Sequence, residues 1–130
     1  MKNIILEQLL YEVETWKRLI LFKKNENLIR INRLNEIIKS NDDKNILFKI
    51  ENFQAGFFNL EDLYKILSDE ILDQHNRLKL LQKDDLENEL FLLIKFQKEI
   101  RMNMGKLVNK INIIQDDFFQ DFAEKLLDLY

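Results

Sequence analysis

Apolar residues recur along the chain at alternating spacings of four and three residues, the pattern of a helix with one buried face. The middle of the chain shows this pattern most clearly, over five heptads. Its positions are Ile46, Ile50, Phe53, Phe57, Leu60, Tyr64, Leu67, Ile71, Gln74, Leu78 and Leu81. The run predicts one long helix with a coiled-coil seam.

A second run with the same spacing covers the last third of the chain. Its positions are Leu86, Leu90, Leu93, Gln97, Ile100, Met104, Leu107, Ile111, Ile114 and Phe118. The phase then shifts to Phe122, Leu126 and Leu129, a stutter that relaxes a supercoil locally. We expect another long helix here.

The first third of the chain is less regular. A seam runs through Leu6, Leu9, Val13, Trp16 and Ile20. The polar sequence KKNEN at residues 23–27 interrupts it, and apolar residues resume at Leu28, Ile31, Leu34 and Ile38. The spacing predicts a helix whose buried face changes phase after KKNEN.

Short polar connections separate the three runs, and their Asp and Asn residues favour helix N-caps. Because short connections make neighbouring helices antiparallel, we predict an all-α fold, an elongated up-down-up three-helix coiled-coil bundle. Residues 1–130 are expected to form one domain with helices at about 3–39, 45–82 and 85–129. The architecture is similar to that of a spectrin repeat, and two such bundles can dimerise into a larger one.

The composition supports helices and excludes several kinds of site. The chain is 46% hydrophobic and 33% charged, with two Gly, no Pro and no Cys, so disulfides and thiolate metal sites are excluded. Neither a signal-like apolar start nor an apolar span of about 18 residues occurs. We therefore expect a cytoplasmic protein with no membrane partner, and the many Ile, Lys and Asn residues suggest a bacterial gene.

Charged residues are concentrated in separate stretches of the expected helices. Basic residues in the first and third helices are Lys17, Arg18, Lys23, Lys24, Arg30, Arg33, Lys95, Lys98, Arg101, Lys106 and Lys110. The second helix carries Glu61, Asp62, Asp69, Glu70 and Asp73 at the same height. We expect these opposite charges to pair within the bundle and fix helix order. With a net charge of −3, nucleic acid is not an expected partner.

Candidate chemistry is sparse. His75 is the only histidine and is expected on a partly exposed helix surface. One His cannot supply the Glu-x-x-His pairs of a di-iron bundle, and no phosphate-binding loop or nucleophile motif occurs. We expect no catalytic, cofactor-binding or metal-binding residue, and hence no enzymatic activity.

Gln74 and Gln97 are the polar exceptions in two otherwise apolar seams, and Tyr11 reaches the same height from the first helix. Buried polar residues at seam positions set register and oligomeric state. We expect Tyr11, Gln74 and Gln97 to form such a polar layer. A small-ligand pocket at this level is the alternative.

Gly56 lies inside the sequence FQAGFFNLEDLY, where every neighbour favours helix. A glycine within a helix costs about 1 kcal/mol relative to alanine, which calls for a packing reason. Its height matches the segment just after KKNEN. We expect Gly56 to allow close helix packing where the first helix changes phase.

Two segments are apolar around most of the helix circumference, RLILF at residues 18–22 and ELFLLIKF at residues 89–96. A contiguous exposed apolar patch marks an interface. The expected interface residues are Leu19, Leu21, Phe22, Phe91, Leu92 and Phe96. The sequence thus favours a non-enzymatic module that self-associates, with docking to another helical protein or a wide three-helix core as alternatives.

One family resemblance rests on residues 13–57. The matching residues are Trp16, Lys17, Arg18, Glu26, Asn27, Arg33, Leu34, Glu36, Ile37, Phe53 and Gln54. In this Trp-Lys-Arg, Glu-Asn and Arg-Leu-x-Glu-Ile pattern the chain resembles a group of uncharacterised short helical proteins of Bacteroidetes. The resemblance implies a helical fold and transfers no activity or ligand.

Overall fold

Three long helices make up the fold in a computed structural model of the chain. The structure describes residues 2–40, 43–83 and 87–129, with side chains for residues 3–40, 43–83 and 88–120. Helix α1 spans Lys2–Lys39, α2 spans Lys44–Lys83 and α3 spans Glu87–Leu129. Each bound lies within two residues of the position expected from the sequence.

Polar side chains end α1 and begin α2. The Ser40 hydroxyl lies 3.3 Å from the Glu36 carbonyl oxygen and 3.2 Å from that of Ile37. It thus provides a hydrogen-bond donor for the carbonyl groups at the end of α1. The Asp43 carboxylate accepts from the backbone N–H of Asn45 at 2.9 Å, which makes Asp43 the N-cap of α2. The Asp residues expected to cap the third helix lie outside the described residues.

The order of inter-helix contacts shows that the helices run up, down and up. From Lys17 to Asn27 of α1, the α2 partners fall from His75 to Phe57, so these helices are antiparallel. From Glu12 to Arg30 of α1, the α3 partners rise from Arg101 to Gln115, so these two are parallel. The predicted all-α up-down-up bundle is confirmed, and the 40 residues of α2 span about 60 Å.

The predicted seams form the core. The buried residues of α2 are Ile50, Phe57, Leu60, Tyr64, Leu67, Ile71, Gln74, His75, Leu78 and Leu81. At one end of the bundle the Phe118 ring meets those of Phe53 and Phe57 edge-on, with centroids 5.8 and 5.6 Å apart. This geometry is favourable for aromatic pairs. The expected phase shift beyond Phe118 lies outside the described side chains.

Helix α1 keeps one phase along its whole length, contrary to the sequence prediction. Its buried face runs from Ile20 through Asn27 to Leu34 in steps of seven residues, with Ile37 three residues further on. Leu28, expected to resume the seam, is exposed. Asn27, the last residue of KKNEN, occupies a buried seam position, so this segment continues the core pattern. Because the segment is polar, the apolar spacing in the sequence did not identify it as part of the core.

Gly56 is not needed for close helix packing. A Cβ atom added there would lie 3.7 Å from Cδ1 of Ile114, an ordinary van der Waals contact. No backbone of another helix is among the atoms within 4 Å. Because α1 does not change phase, the expected reason for the glycine is also gone.

Candidate functional site

Gln74 and Gln97 form a buried polar layer across the bundle. The Gln74 amide nitrogen donates to the Leu93 carbonyl at 2.9 Å and to Oε1 of Gln97 at 3.0 Å. The Gln97 amide nitrogen donates to the Leu9 carbonyl at 3.0 Å and to Oε1 of Glu12 at 2.9 Å. A Gln amide has two N–H groups, so all the amide N–H groups of this layer have acceptors and none is left to donate to a ligand.

Arg101 closes this layer at the surface. Its Nε donates to Oε2 of Glu12 at 2.9 Å and its Nη2 to Oε1 at 2.6 Å, a two-point contact between α1 and α3. Burial acts to raise the pKa of Glu12, but the hydrogen bonds from Arg101 and Gln97 outweigh it and hold this pKa below its ordinary value. The same bond to Glu12 raises the pKa of Arg101. Glu12 is therefore ionised at neutral pH.

Tyr11 does not belong to the layer. Its side chain is 72% exposed, because it lies on the outer face of α1 while Leu9 and Val13 point inward. The neighbouring residue Glu12 supplies the α1 side chain of the layer instead. The height deduced from the sequence was right, but the side of the helix was wrong.

A second polar layer, centred on Asn27, was missed in the sequence. Asn27 is 2% exposed and donates to the Phe57 carbonyl at 2.9 Å and to Oε1 of Glu61 at 2.7 Å. Its distance of seven residues from both Ile20 and Leu34 was the available signal. A strict heptad count finds Asn27, whereas a search for apolar residues does not.

Arg30 extends this second layer to α3. Its guanidinium lies 3.4 Å from the Glu26 carboxylate and 6.0 Å from the centre of the Phe119 ring. When the amide oxygen of Gln115 is turned toward Arg30, it accepts hydrogen bonds from Nη1 at 3.0 Å and from Nη2 at 3.2 Å. Burial, together with the negative charge of Glu61, raises the pKa of the nearby Tyr64 far above its ordinary value, so this phenol stays neutral.

His75 is buried between α1 and α2 and is only 4% exposed, so the expected surface position is wrong. It occupies the flank of α2 that packs on α1. Its Nε2 lies 3.1 Å from the Glu14 carboxylate and its Nδ1 lies 3.1 Å from Nζ of Lys17. Burial lowers the pKa of His75, and so do the positive charges of Lys17 and Lys79. The negative charge of Glu14 acts to raise it. A neutral His75 protonated on Nε2 satisfies both contacts.

The six expected interface residues do not form one patch. Leu19 and Phe96 are half-buried and pack against the core, while Leu21, Phe22, Phe91 and Leu92 are exposed. Leu21 lines a groove with Ile71 and Leu72 of α2. Phe96 faces α2 on the other side of the bundle, where Arg77 lies 5.9 Å from its ring centre.

Leu19 and Phe22 contribute to a different surface, the α1/α3 face, which we define by Leu19, Phe22, Ile29, Gly105 and Phe119. Leu19 lies seven residues after Glu12, which contacts Arg101, and Phe22 follows Leu19 by three residues, so both lie on this side of α1. On α3, the centre of the Phe119 ring lies 6.0 Å from the Arg30 guanidinium. Phe22 and Ile29 lie one heptad apart on this side of α1. These apolar side chains therefore border the junction of α1 and α3.

The α1/α3 face is the most open junction in the described bundle. Helices α1 and α3 approach each other less closely than either approaches α2. A Cβ atom added at Gly105 would meet no atom within 4 Å. Phe22 is 59% exposed and Phe119 is 49% exposed. The face thus presents two aromatic rings beside unfilled space.

Phe91 lies beyond this face, toward the first end of the bundle. The Glu12–Arg101 contact aligns α1 and α3 and places Phe91 at the height of the first turns of α1. From Phe22 to the α1 residues at that height is about 30 Å along the axis. Phe91 is 74% exposed and separated from the α1/α3 face by a charged pair.

The charges do not pair between α1 and α2 as expected. Glu61, Asp62, Asp69 and Glu70 form no ion pair with any described residue, and Asp73 pairs within its own helix with Arg77. The pairs of α1 are also mostly local, such as Lys23 and Arg30 with Glu26. Glu61 does contact α1, but its partner there is the neutral Asn27, so similar height did not bring opposite charges together.

Among the described residues, no group of three or more His, Asp or Glu side chains is arranged to hold a metal ion. Within the same residues, no helix is both long and apolar enough to cross a membrane. No family model matches the chain, and neither a curated protein nor a solved structure matches it.

Proposed function

We propose that this protein is a non-enzymatic interaction module that associates with a second copy of itself through the α1/α3 face. The observation that carries the proposal is the exposure of Phe22, Ile29 and Phe119 around the open junction of α1 and α3. Exposed apolar side chains grouped in this way are typical of an interface. A second bundle laid along the junction would cover them.

The charges around this face favour a second copy as the partner. Glu12 pairs with Arg101, and Glu26 lies within 3.4 Å of both Lys23 and Arg30. Each of these charges has a partner of opposite sign within its own copy, which lowers the repulsion between two identical faces. A symmetric dimer buries the same face on both copies.

Sedimentation velocity over a range from low to high micromolar concentration tests the proposal. We expect a concentration-dependent dimer that is weakened when Phe22 and Ile29 are both replaced by Gln. The matched control replaces Phe48 and Met102 by Gln, since both are exposed apolar residues outside the α1/α3 face. The control should dimerise like the original protein.

Two results would count against this function. A strict monomer at every concentration would remove self-association altogether. A dimer that is equally stable in both double variants would place the interface on another surface. Thermal unfolding followed by circular dichroism checks that each variant keeps its helices.

A further inference from the structure

A second apolar surface lies between α1 and α2, on the side of the bundle away from α3. We call it the α1/α2 groove, an open depression of about 470 Å³. Its lining residues are Glu14, Lys17, Arg18, Ile20, Leu21, Lys24, Ser68, Ile71 and Leu72. The floor is apolar, and three of the side chains along its α1 rim are basic.

Two of the three basic side chains on this rim have no acidic partner among the described residues. Arg18 and Lys24 form no ion pair with any described residue and both are exposed. Glu14 is the one carboxylate of the lining. It contacts Nε2 of His75 at 3.1 Å and lies 4.0 Å from Nζ of Lys17. The groove therefore offers an apolar floor beside two uncompensated cations.

The shape of the surface fits a helix. The lining residues of α1 extend from Glu14 to Lys24, about three turns. Further along the same junction lie the exposed Leu28, one heptad after Leu21, and the exposed Phe58, two heptads before Leu72. The distance from Leu72 to Phe58 along α2 is about 21 Å. The apolar surface is elongated in the direction of the helices.

We propose that the α1/α2 groove binds an acidic amphipathic helix of another protein. The apolar side of that helix would lie on Leu21, Ile71 and Leu72, and its carboxylates would face Arg18 and Lys24. Apolar anchors at helical spacing are the usual way in which a helix fills a groove. The flanking charges select an acidic partner and orient it.

The same charges argue against a second copy in this groove. Two identical grooves placed face to face would bring Lys17, Arg18 and Lys24 of both copies together, and like charges repel. This site is thus independent of the α1/α3 face, and it remains available in a monomer or in a dimer formed there.

Fluorescence anisotropy with designed helical probes tests the inference. One labelled probe carries leucines on one face and glutamates on the other, and the second has lysines in place of the glutamates. We expect the glutamate probe alone to bind, and Arg18→Glu with Lys24→Glu to weaken it by at least about tenfold. The control pair Lys95→Glu with Lys98→Glu changes the net charge equally on exposed residues of α3 and should change affinity by less than about twofold.

A second double variant tests the apolar floor. Leu21→Gln with Leu72→Gln changes two exposed side chains, so the fold should persist while the glutamate probe binds several-fold more weakly. Circular dichroism confirms that both sets of variants remain helical.

Several results would overturn the inference. The two probes could bind equally, or the groove variant could bind the glutamate probe as well as the control does. Loss of self-association in Arg18→Glu with Lys24→Glu would assign the groove to a second copy. Tight binding of a short DNA duplex that depends on Arg18 and Lys24 would assign it to nucleic acid. A monomeric protein that binds the glutamate probe would remove the proposed self-association and leave this inference intact.

Discussion

Two polar layers cross the core of this bundle, and they differ in how completely they are hydrogen-bonded. In the layer of Gln74 and Gln97, every amide proton has an acceptor, and Arg101 neutralises Glu12 at the edge. In the layer of Asn27, Oε1 of Glu26 and Nε of Arg30 are buried without a hydrogen-bond partner, although Lys23 lies 3.4 Å from that oxygen.

The two layers therefore contribute differently to the register of the helices and to the free energy of unfolding. A layer in which every amide N–H group has an acceptor fixes the heights of three helices, because any shift leaves buried N–H groups unpaired. A partly bonded layer already contains unpaired groups, so altering it should change the free energy of unfolding less. The glutamine layer therefore sets the register of the bundle, and the asparagine layer is the more tolerant of the two.

The largest expected effect follows from breaking the glutamine layer on one side. Gln97→Leu removes an acceptor from Gln74 and leaves one of its buried N–H groups unpaired. We expect the free energy of unfolding to fall by about 2 kcal/mol. Urea unfolding followed by circular dichroism measures the change, and Gln82→Leu on the exposed surface of α2 is the matched control.

The double variant Gln74→Leu with Gln97→Leu sharpens that test. Replacing both partners leaves no unpaired amide, so the double variant should be more stable than Gln97→Leu alone. If the double variant were the less stable of the two, the loss would come from poor packing of leucine, and the hydrogen bonds would not explain the layer.

An intermediate effect is expected from acidification. Because the pKa of Glu12 is lower in the folded than in the unfolded chain, ionised Glu12 adds to the free energy of unfolding at neutral pH. It is lost as the pH falls through about 4 and below. Glu12→Gln should therefore be less stable than the original protein at neutral pH, with the gap narrowing in acid. Glu51→Gln, which changes an exposed carboxylate of α2, is the matched control in the same urea series.

The sequence predicted most of the fold because period and connection length determine it. The alternating spacing identified the buried positions of α2 and α3, from Ile50 to Leu81 and from Leu90 to Phe118. It failed at Asn27, where a polar residue occupies a core position and its partners are a carbonyl and a carboxylate from α2. Such partners become visible only when the relative rotation of two helices is known.

The same limit explains the residues that were placed on the wrong side. Tyr11 was placed by its height along the axis, and His75 was expected on a partly exposed helix surface. The rotation of each helix turned Tyr11 outward and His75 toward α1. Leu21 and Phe22 are neighbours in sequence, yet they face different junctions of the bundle. A heptad position must be assigned to one flank of its helix before it can be assigned to a surface.

The smallest expected effect comes from Asn27, and it tests the comparison most directly. Asn27→Leu removes hydrogen bonds to the Phe57 carbonyl and to Glu61, but it leaves neither partner stranded. That carbonyl belongs to the interior of α2, where helical hydrogen bonds satisfy it, and Glu61 is only partly buried. A leucine at this seam position also gains apolar contacts with α2. We expect the free energy of unfolding to change by less than about 1 kcal/mol in either direction. Urea unfolding measures this change, and Asn109→Leu on the exposed face of α3 is the matched control. A loss as large as that of Gln97→Leu would show that both layers fix the register, and the distinction between them would fail.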